Sequence, residues 1–270
     1  PVAGAHLDPS ILHPPLPGSW GMAATLRIAD RQDEALKLLD MAEATATTHN
    51  LISDRMQIHY LRGNLYFPLG NIDGCLAEHQ KALEFARQVG SSEGEALALG
   101  GLGDAFYLQG RMRSAWEQFR ACVAVCQRHG YVRIEVANRH MVGWTGIQLM
   151  ENETALEDAR DVIKMATSVG HRRAKVLGLM LAGFVETESG NLEDAERYLL
   201  QSLEISRPLG AGNFEGQALS QLAVLHAEAD RIDRARTCAG LSIEVARRVG
   251  MKFFGPRILA ISASLAEDRE

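Results

Sequence analysis

An all-α chain of helix-turn-helix repeats, each 40 residues long, is the fold this sequence predicts. Three observations carry that reading. First, small residues recur on one ruler: Gly90, Gly130, Gly170, Gly210 and Gly250 are spaced by 40, as are Gly63, Gly103, Gly143 and Gly183, continued by Ala223. Two further series share the period, Gly70, Gly110, Met150, Gly190 and Asp230, and Ala35, Cys75, Ala115, Ala155, Ala195 and Ala235. Four registers with one period mark an internal repeat. Second, each period holds two amphipathic segments: Met112, Ala115, Phe119, Cys122 and Cys126 recur at three- and four-residue spacing, a helical stripe. Third, alternating β-branched runs and hairpin dipeptides are missing.

The elements follow in order. Residues 1–19 hold five of the eight prolines, so a helix cannot run through them. They read as a linker or as an N-terminal extension packed on the first repeat. Residues 20–270 read as one superhelical domain of about six repeats and a closing helix. Its first repeat is cut short, with a first helix over 20–29 and a full second helix over 32–48, ending at Asn50. In the best-formed repeat, a segment over 92–109 stops at Gly110 and one over 112–129 stops at Gly130. Glycine there suits a left-handed cap. Small residues at Gly103 and Ala115 are expected to face each other across the hairpin. The closing helix, about 255–267, starts with Pro256 in its first turn and carries Ile258, Leu259, Ile261 and Leu265 on an apolar side. A frayed acidic tail, Glu267 to Glu270, follows.

This pattern resembles the tetratricopeptide repeat (TPR): a large apolar residue, Leu-Gly, an aromatic, then a small residue and an aromatic in the second helix. The match is best at Leu99, Leu102-Gly103, Phe106, Ala115 and Phe119. Gly63, Tyr66 and Ala82 offer a second copy, and Leu179, Gly183, Ala195 and Leu199 a third. The resemblance implies a TPR-like α-solenoid, and the 40-residue period implies longer helices than the usual 34-residue repeat. The closing Gly-Met-x-Phe-Phe-Gly-Pro and the Ala-rich second helices look like the C-terminal arrays of bacterial multidomain regulators with an adenylate/guanylate cyclase domain and an ATPase module. That likeness implies a non-catalytic sensor or scaffold arm. The chain starts at Pro1 rather than Met, which reads as a piece of a longer protein or a processed start.

Bulk composition narrows the function. A formal net charge of −6 argues against nucleic acid or an anionic membrane as main partner. The densest basic stretch, His171-Arg172-Arg173 with Lys175, reads as a solvated helix start. No apolar run is long enough for a membrane span, and no signal peptide pattern precedes Trp20, so a cytoplasmic location is expected. Cys75, Cys122, Cys126 and Cys238 form no C-x-x-C pair and read as small core residues.

Chemistry leaves no signature. P-loop, nucleophile-elbow and H-E-x-x-H motifs are missing, no two histidines stand three or four apart, and neither a cofactor nor a metal is expected. Gly100, Gly101 and Gly103 invite a phosphate-loop reading, but the repeat puts them inside a helix. Glu157-Asp158 and Glu193-Asp194 fall early in second helices, where they favour the helix dipole.

Binding is the better expectation. The TPR resemblance implies concave positions three before, one after and four after each helix glycine. They fall on Tyr60, Asn64 and Phe67; on Gly100, Asp104 and Tyr107; on His140, Trp144 and Ile147; on Met180, Phe184 and Thr187; and on Ser220, Val224 and Ala227. The lining is aromatic and apolar. A clamp for a peptide carboxylate would need Lys, Arg and Asn, and only Asn64 fits. An apolar segment of a peptide or protein is the expected occupant, and a small-molecule sensor is the alternative. Other domains of a longer chain, or a second copy, could also be partners. Gly100 would be a side-chain-free notch in that groove.

Overall fold

The computed structural model describes residues 22–23, 31–150, 154–249, 259–261 and 263–264. All regular structure among them is α-helical. The Pro-rich stretch 1–19, most of the expected helix 20–29, Gly250 and the acidic tail lie outside the described residues.

Two compact units divide at Gly130. Unit 1 contains α1 (Gln32–Thr48), α2 (Ile52–Leu69), α3 (Ile72–Gln88), α4 (Ser92–Leu108) and α5 (Met112–His129). Unit 2 contains α6 (Val132–Gln148), α7 (Ala155–Ser168), α8 (Arg172–Glu188), α9 (Leu192–Ser206), α10 (Gly212–Glu228) and α11 (Ile232–Arg248). Within each unit every helix packs on the next, and first helices also touch first helices: α2 meets α4, α6 meets α8, and α8 meets α10. Each unit is therefore a stack of TPR-like helix-turn-helix repeats, with first helices forming its inner layer.

The expected caps have their turn geometry. Residues 50, 70, 90, 110, 130, 150, 170, 190, 210 and 230 all have positive φ. Seven are glycine; Asn50 (φ 52°) and Asp230 (φ 55°) are types that tolerate the left-handed region, and Met150 (φ 61°) is not. The amide after most of these residues reaches back five residues, as Asn71 to Tyr66 O (3.1 Å) and His171 to Ala166 O (2.8 Å). That is the Schellman closure, which satisfies carbonyls the helix end leaves open. Asn71 and Ser91 then cap the next helices by accepting from the amides of Gly74 (3.0 Å) and Gly94 (3.1 Å).

The helix glycines are the close-approach positions expected, but they admit mainly a large side chain rather than an alanine. Gly103 does not look across at Ala115; a Cβ on it would meet Phe119, sixteen residues on, at 2.6 Å. Gly183 faces Leu199 at 2.6 Å, with the backbone oxygen of Ala195 at 3.4 Å, and Gly63 faces His79 at 2.6 Å. A small residue in the first helix thus admits a large one from the second. At Gly143 the residue sixteen on is Ala159, and Leu181 of α8 fills the space instead. His79 is wedged between Gly63 of α2 and Gly101 of α4. Two of the three glycines in the run 100–103 are therefore packing positions in a helix.

Cores are aliphatic and alanine-rich. In unit 1, Ala35, Leu39, Ala42 and Ala46 of α1 pack on Ile58, Leu61 and Leu65 of α2, joined by Ala23. In unit 2, Val176 and Met180 of α8 pack with Leu199 and Leu203 of α9 and Leu219, Leu222 and Leu225 of α10. Cys75, Cys122 and Cys126 are fully buried, and burial pushes the Cys75 thiol up to about 12. Of the expected closing helix, residues 259–261 and 263–264 are described; they are helical, and Ile261 packs against Ala223, Ala235 and Ala239.

Candidate partner-binding surface

First helices set the stage, because within each unit they pack on one another as well as on their second helices. In unit 1, α2 presents Tyr60, Asn64 and Phe67. Tyr60 is half-buried with its ring 5.8 Å from that of His79, Asn64 is half-buried, and Phe67 is 38% exposed. On α4, Asp104 and Tyr107 are half-buried, whereas Gly100 is buried with its backbone against the Cys122 thiol. Asp104 lies near enough to Cys75 and Cys122 to add to the upward push on both thiols, which comes first from burial at Cys75 and first from the Cys126 contact, then burial, at Cys122.

In unit 2, α6 and α8 bring Trp144 and Phe184 together, ring centroids 5.0 Å apart at 52°. Tilted aromatic pairs of this kind add about 1 kcal/mol beyond area burial. Both rings are half-buried, and Trp144, with Ile147, packs on the cluster of Ala159, Leu181 and Ala182. Met180 points into the core and is 1% exposed. His140 is buried, and its Nδ1 has no hydrogen-bond partner. Burial first, then the positive field of Arg173 and His171, pushes its pKa down to about 3. It is neutral at pH 7. Of the ten positions singled out, Gly100, His140 and Met180 are thus enclosed. Tyr60, Asn64, Phe67, Asp104, Tyr107, Trp144 and Phe184 keep an accessible edge.

One polar constellation escaped the sequence reading. In unit 1, Arg62 donates to Glu43 (2.6 Å), Asp40 (3.1 Å) and Glu78 (3.1 Å), and His59 Nδ1 donates to Glu78 at 2.7 Å. Glu43 lies 3.2 Å from His59 Nε2. Arg62 and His59 are 5% and 1% exposed, so this seam holds charges in the hairpin core. Burial alone would push the Glu78 carboxyl up, but His59 and Arg62 outweigh it and hold it down to about 2. Unit 2 repeats the arrangement with Arg139 on Asp158 (3.2 Å) and Asp161 (2.7 Å). His59–Glu78, Glu43–Arg62 and Arg139–Asp158 are each 19 apart, the register of facing sites in one hairpin. These groups lie in the stacked layers and are committed to one another. Among the described residues no cluster of His, Cys, Asp and Glu could hold a metal ion, and no helix is long and apolar enough to cross a membrane.

Comparison with known proteins agrees with this architecture. A family model described as tetratricopeptide repeat matches residues 54–128, inside unit 1. No curated protein matches the chain. Among solved structures, the apo form of RapI superposes with a TM-score of 0.67 at 10% identity, over 92% of this chain and 96% of that one. A Rap protein complexed with competence and sporulation factor gives 0.67 at 11% identity, over 96% and 79%. A signal transduction ATPase with numerous domains and a tetratricopeptide repeat sensor, from Pyrococcus horikoshii, gives 0.67 at 15% identity, over 92% of this chain but 38% of its own. At such identities the likeness is one of fold: the chain is a TPR-like array of helix-turn-helix repeats.

Proposed function

We propose that the chain is a non-catalytic interaction scaffold that holds an apolar segment of a peptide or protein on the inner faces of its first helices. The observation that carries this is the character of the accessible inner residues. Tyr60, Phe67, Tyr107, Trp144 and Phe184 are aromatic and Asn64 is an uncharged amide, while the ion-paired Arg62 and Arg139 lie in the stacked layers. Aromatic rings with half their surface already packed are rigid anchors and lose little entropy on binding. Asp104 is the one carboxylate among these positions. The Rap protein solved with competence and sporulation factor supports a peptide or protein occupant on this fold. The Pyrococcus ATPase, whose repeats are a sensor, supports the further reading that this chain is a regulatory arm of a larger signalling protein.

The test is partner capture by the immobilised chain. Trp144→Ala with Phe184→Ala, and separately Tyr60→Ala with Tyr107→Ala, should each lower recovery of a captured polypeptide about tenfold or more, the cost of losing a hot spot. Capture unchanged in both variants, with helical circular dichroism intact, contradicts the proposal.

A further inference from the structure

The inner face of unit 1 has a chemistry that one segment of the same chain matches. Tyr60, Phe67 and Tyr107 line it with rings, and Asn64 adds an amide that donates to a carbonyl. Asp104 is its one carboxylate, and Arg62 on the same helix is turned into the ionic seam. Aromatic surfaces of this kind hold proline-rich segments. Rings pack on the pyrrolidines, and a polyproline II backbone, already restricted, loses little entropy on docking. The sequence contains such a segment. Pro14-Pro15-Leu16-Pro17 is the densest proline run in the chain, and from Pro9 to Gly21 there is no Asp, Glu, Lys or Arg. Polyproline II has three residues per turn, which puts positions 14 and 17 on one edge, about 9 Å apart.

The described chain fixes where this run is tied. Ala23 is buried in the cluster of α1 and α2, the same cluster on which Tyr60 packs. Pro17 stands six residues before Ala23, a span of about 20 Å at most when extended. Packed helix axes lie about 10 Å apart, so the tether keeps the run within reach of α2 and of α4 beside it. A link this short gives an effective concentration of about a millimolar. We propose that Pro14, Pro15, Leu16 and Pro17 dock on Tyr60, Phe67 and Tyr107 of the same copy, so that the chain itself occupies the inner face of unit 1 until a partner displaces it.

This occupancy rests on the reading of the inner faces as holders of apolar segments, and it adds their regulation. A partner's apparent affinity for unit 1 is lowered by the fraction of faces the run leaves open. The same run from a second copy is the poorer occupant, because at micromolar protein it competes against a tethered one. The Trp144–Phe184 pair of unit 2 takes no part.

The experiment uses the whole chain with a photoreactive phenylalanine analogue in place of Phe67. Unlabelled and heavy-isotope-labelled protein are mixed before irradiation, and the digest is read by mass spectrometry. The analogue should be joined to a peptide containing residues 14–17, with both halves carrying the same label. P14S/P15S/P17S should lower that yield about tenfold, as removal of an anchor implies. Where circular dichroism shows that this variant loses helix, the milder P14A/P17A takes its place with the same direction of effect. No crosslink to that peptide, a yield unchanged by the substitution, a product of mixed label, or the same product from an analogue at Phe184 overturns the proposal. Partner capture by Y60A/Y107A is the independent readout: capture lowered in that variant without the crosslink removes the tethered occupant and leaves the inner face as a binding surface.

Discussion

Replacing Arg62 with Met should cost unit 1 about 3–5 kcal/mol of folding free energy, the usual penalty for removing one partner of a buried charge network. Glu78 and Glu43 would lose their shared cation while staying in the α1–α2–α3 seam. The pH dependence gives the effect a signature. The Glu78 carboxyl is depressed to about 2 in the folded chain, so its contribution is present above the ordinary carboxylate range and is lost as pH falls toward 2. Without Arg62 burial counts for more, the folded-state pKa of Glu78 rises, and protonation relieves the variant at higher pH. Urea unfolding should therefore show the two chains far apart at pH 7 and converging below about pH 4. A gap that stays constant across that range would mean Arg62 acts by packing alone.

Phe119→Ala should cost about 3–5 kcal/mol, since the ring is fully buried and leaves a cavity against α4. Gly103→Ala is the more telling partner. On helix propensity alone it should stabilise by about 1 kcal/mol. The structure predicts the reverse, a loss of about 1–3 kcal/mol, because the new Cβ falls 2.6 Å from the Phe119 ring. Combining the two should cost less than their sum, with a coupling of about 1 kcal/mol or more, as the added methyl takes up part of the vacated space. Thermal unfolding of the four proteins measures this. Strict additivity would remove the close approach of Gly103 to Phe119 from the account.

Much of this fold was legible in advance because its determinants are local and recur. The left-handed turn that recurs every half-period needs Gly or a tolerant residue, so the chain prints it as Gly70, Gly90, Gly110 and Gly130. What those turns do to packing was harder to read. A glycine in a helix says that something comes close without saying what, and the partner of Gly103 proved to be Phe119 rather than Ala115. The ionic seam was hidden for a different reason. His59, Arg62 and Glu78 look like any charged residues on a helix surface, and only the third helix buries them. The 19-residue spacing of the pairs was the available signal, and it becomes visible once the hairpin register is known.

The candidate surface divides along the same line. Trp144 and Phe184, 40 apart, come together as adjacent first helices require. Gly100, His140 and Met180 occupy the same face by spacing yet are enclosed, because side-chain size in the neighbouring helix decides depth. Periodicity assigns a residue to a face; it does not say how far the next helix overlaps it.

Site-specific photo-crosslinking tests the scaffold claim most directly. A photoreactive phenylalanine analogue placed at Asn64, Tyr107 or Phe184 sits on an inner face, and one placed at Met41 or Leu200, which are 65% and 51% exposed, serves as a comparison outside the inner positions. The account predicts that the inner positions crosslink to a shared polypeptide and that Met41 and Leu200 do not. Crosslinks to that polypeptide from Met41 and Leu200, with none from the inner positions, would contradict it.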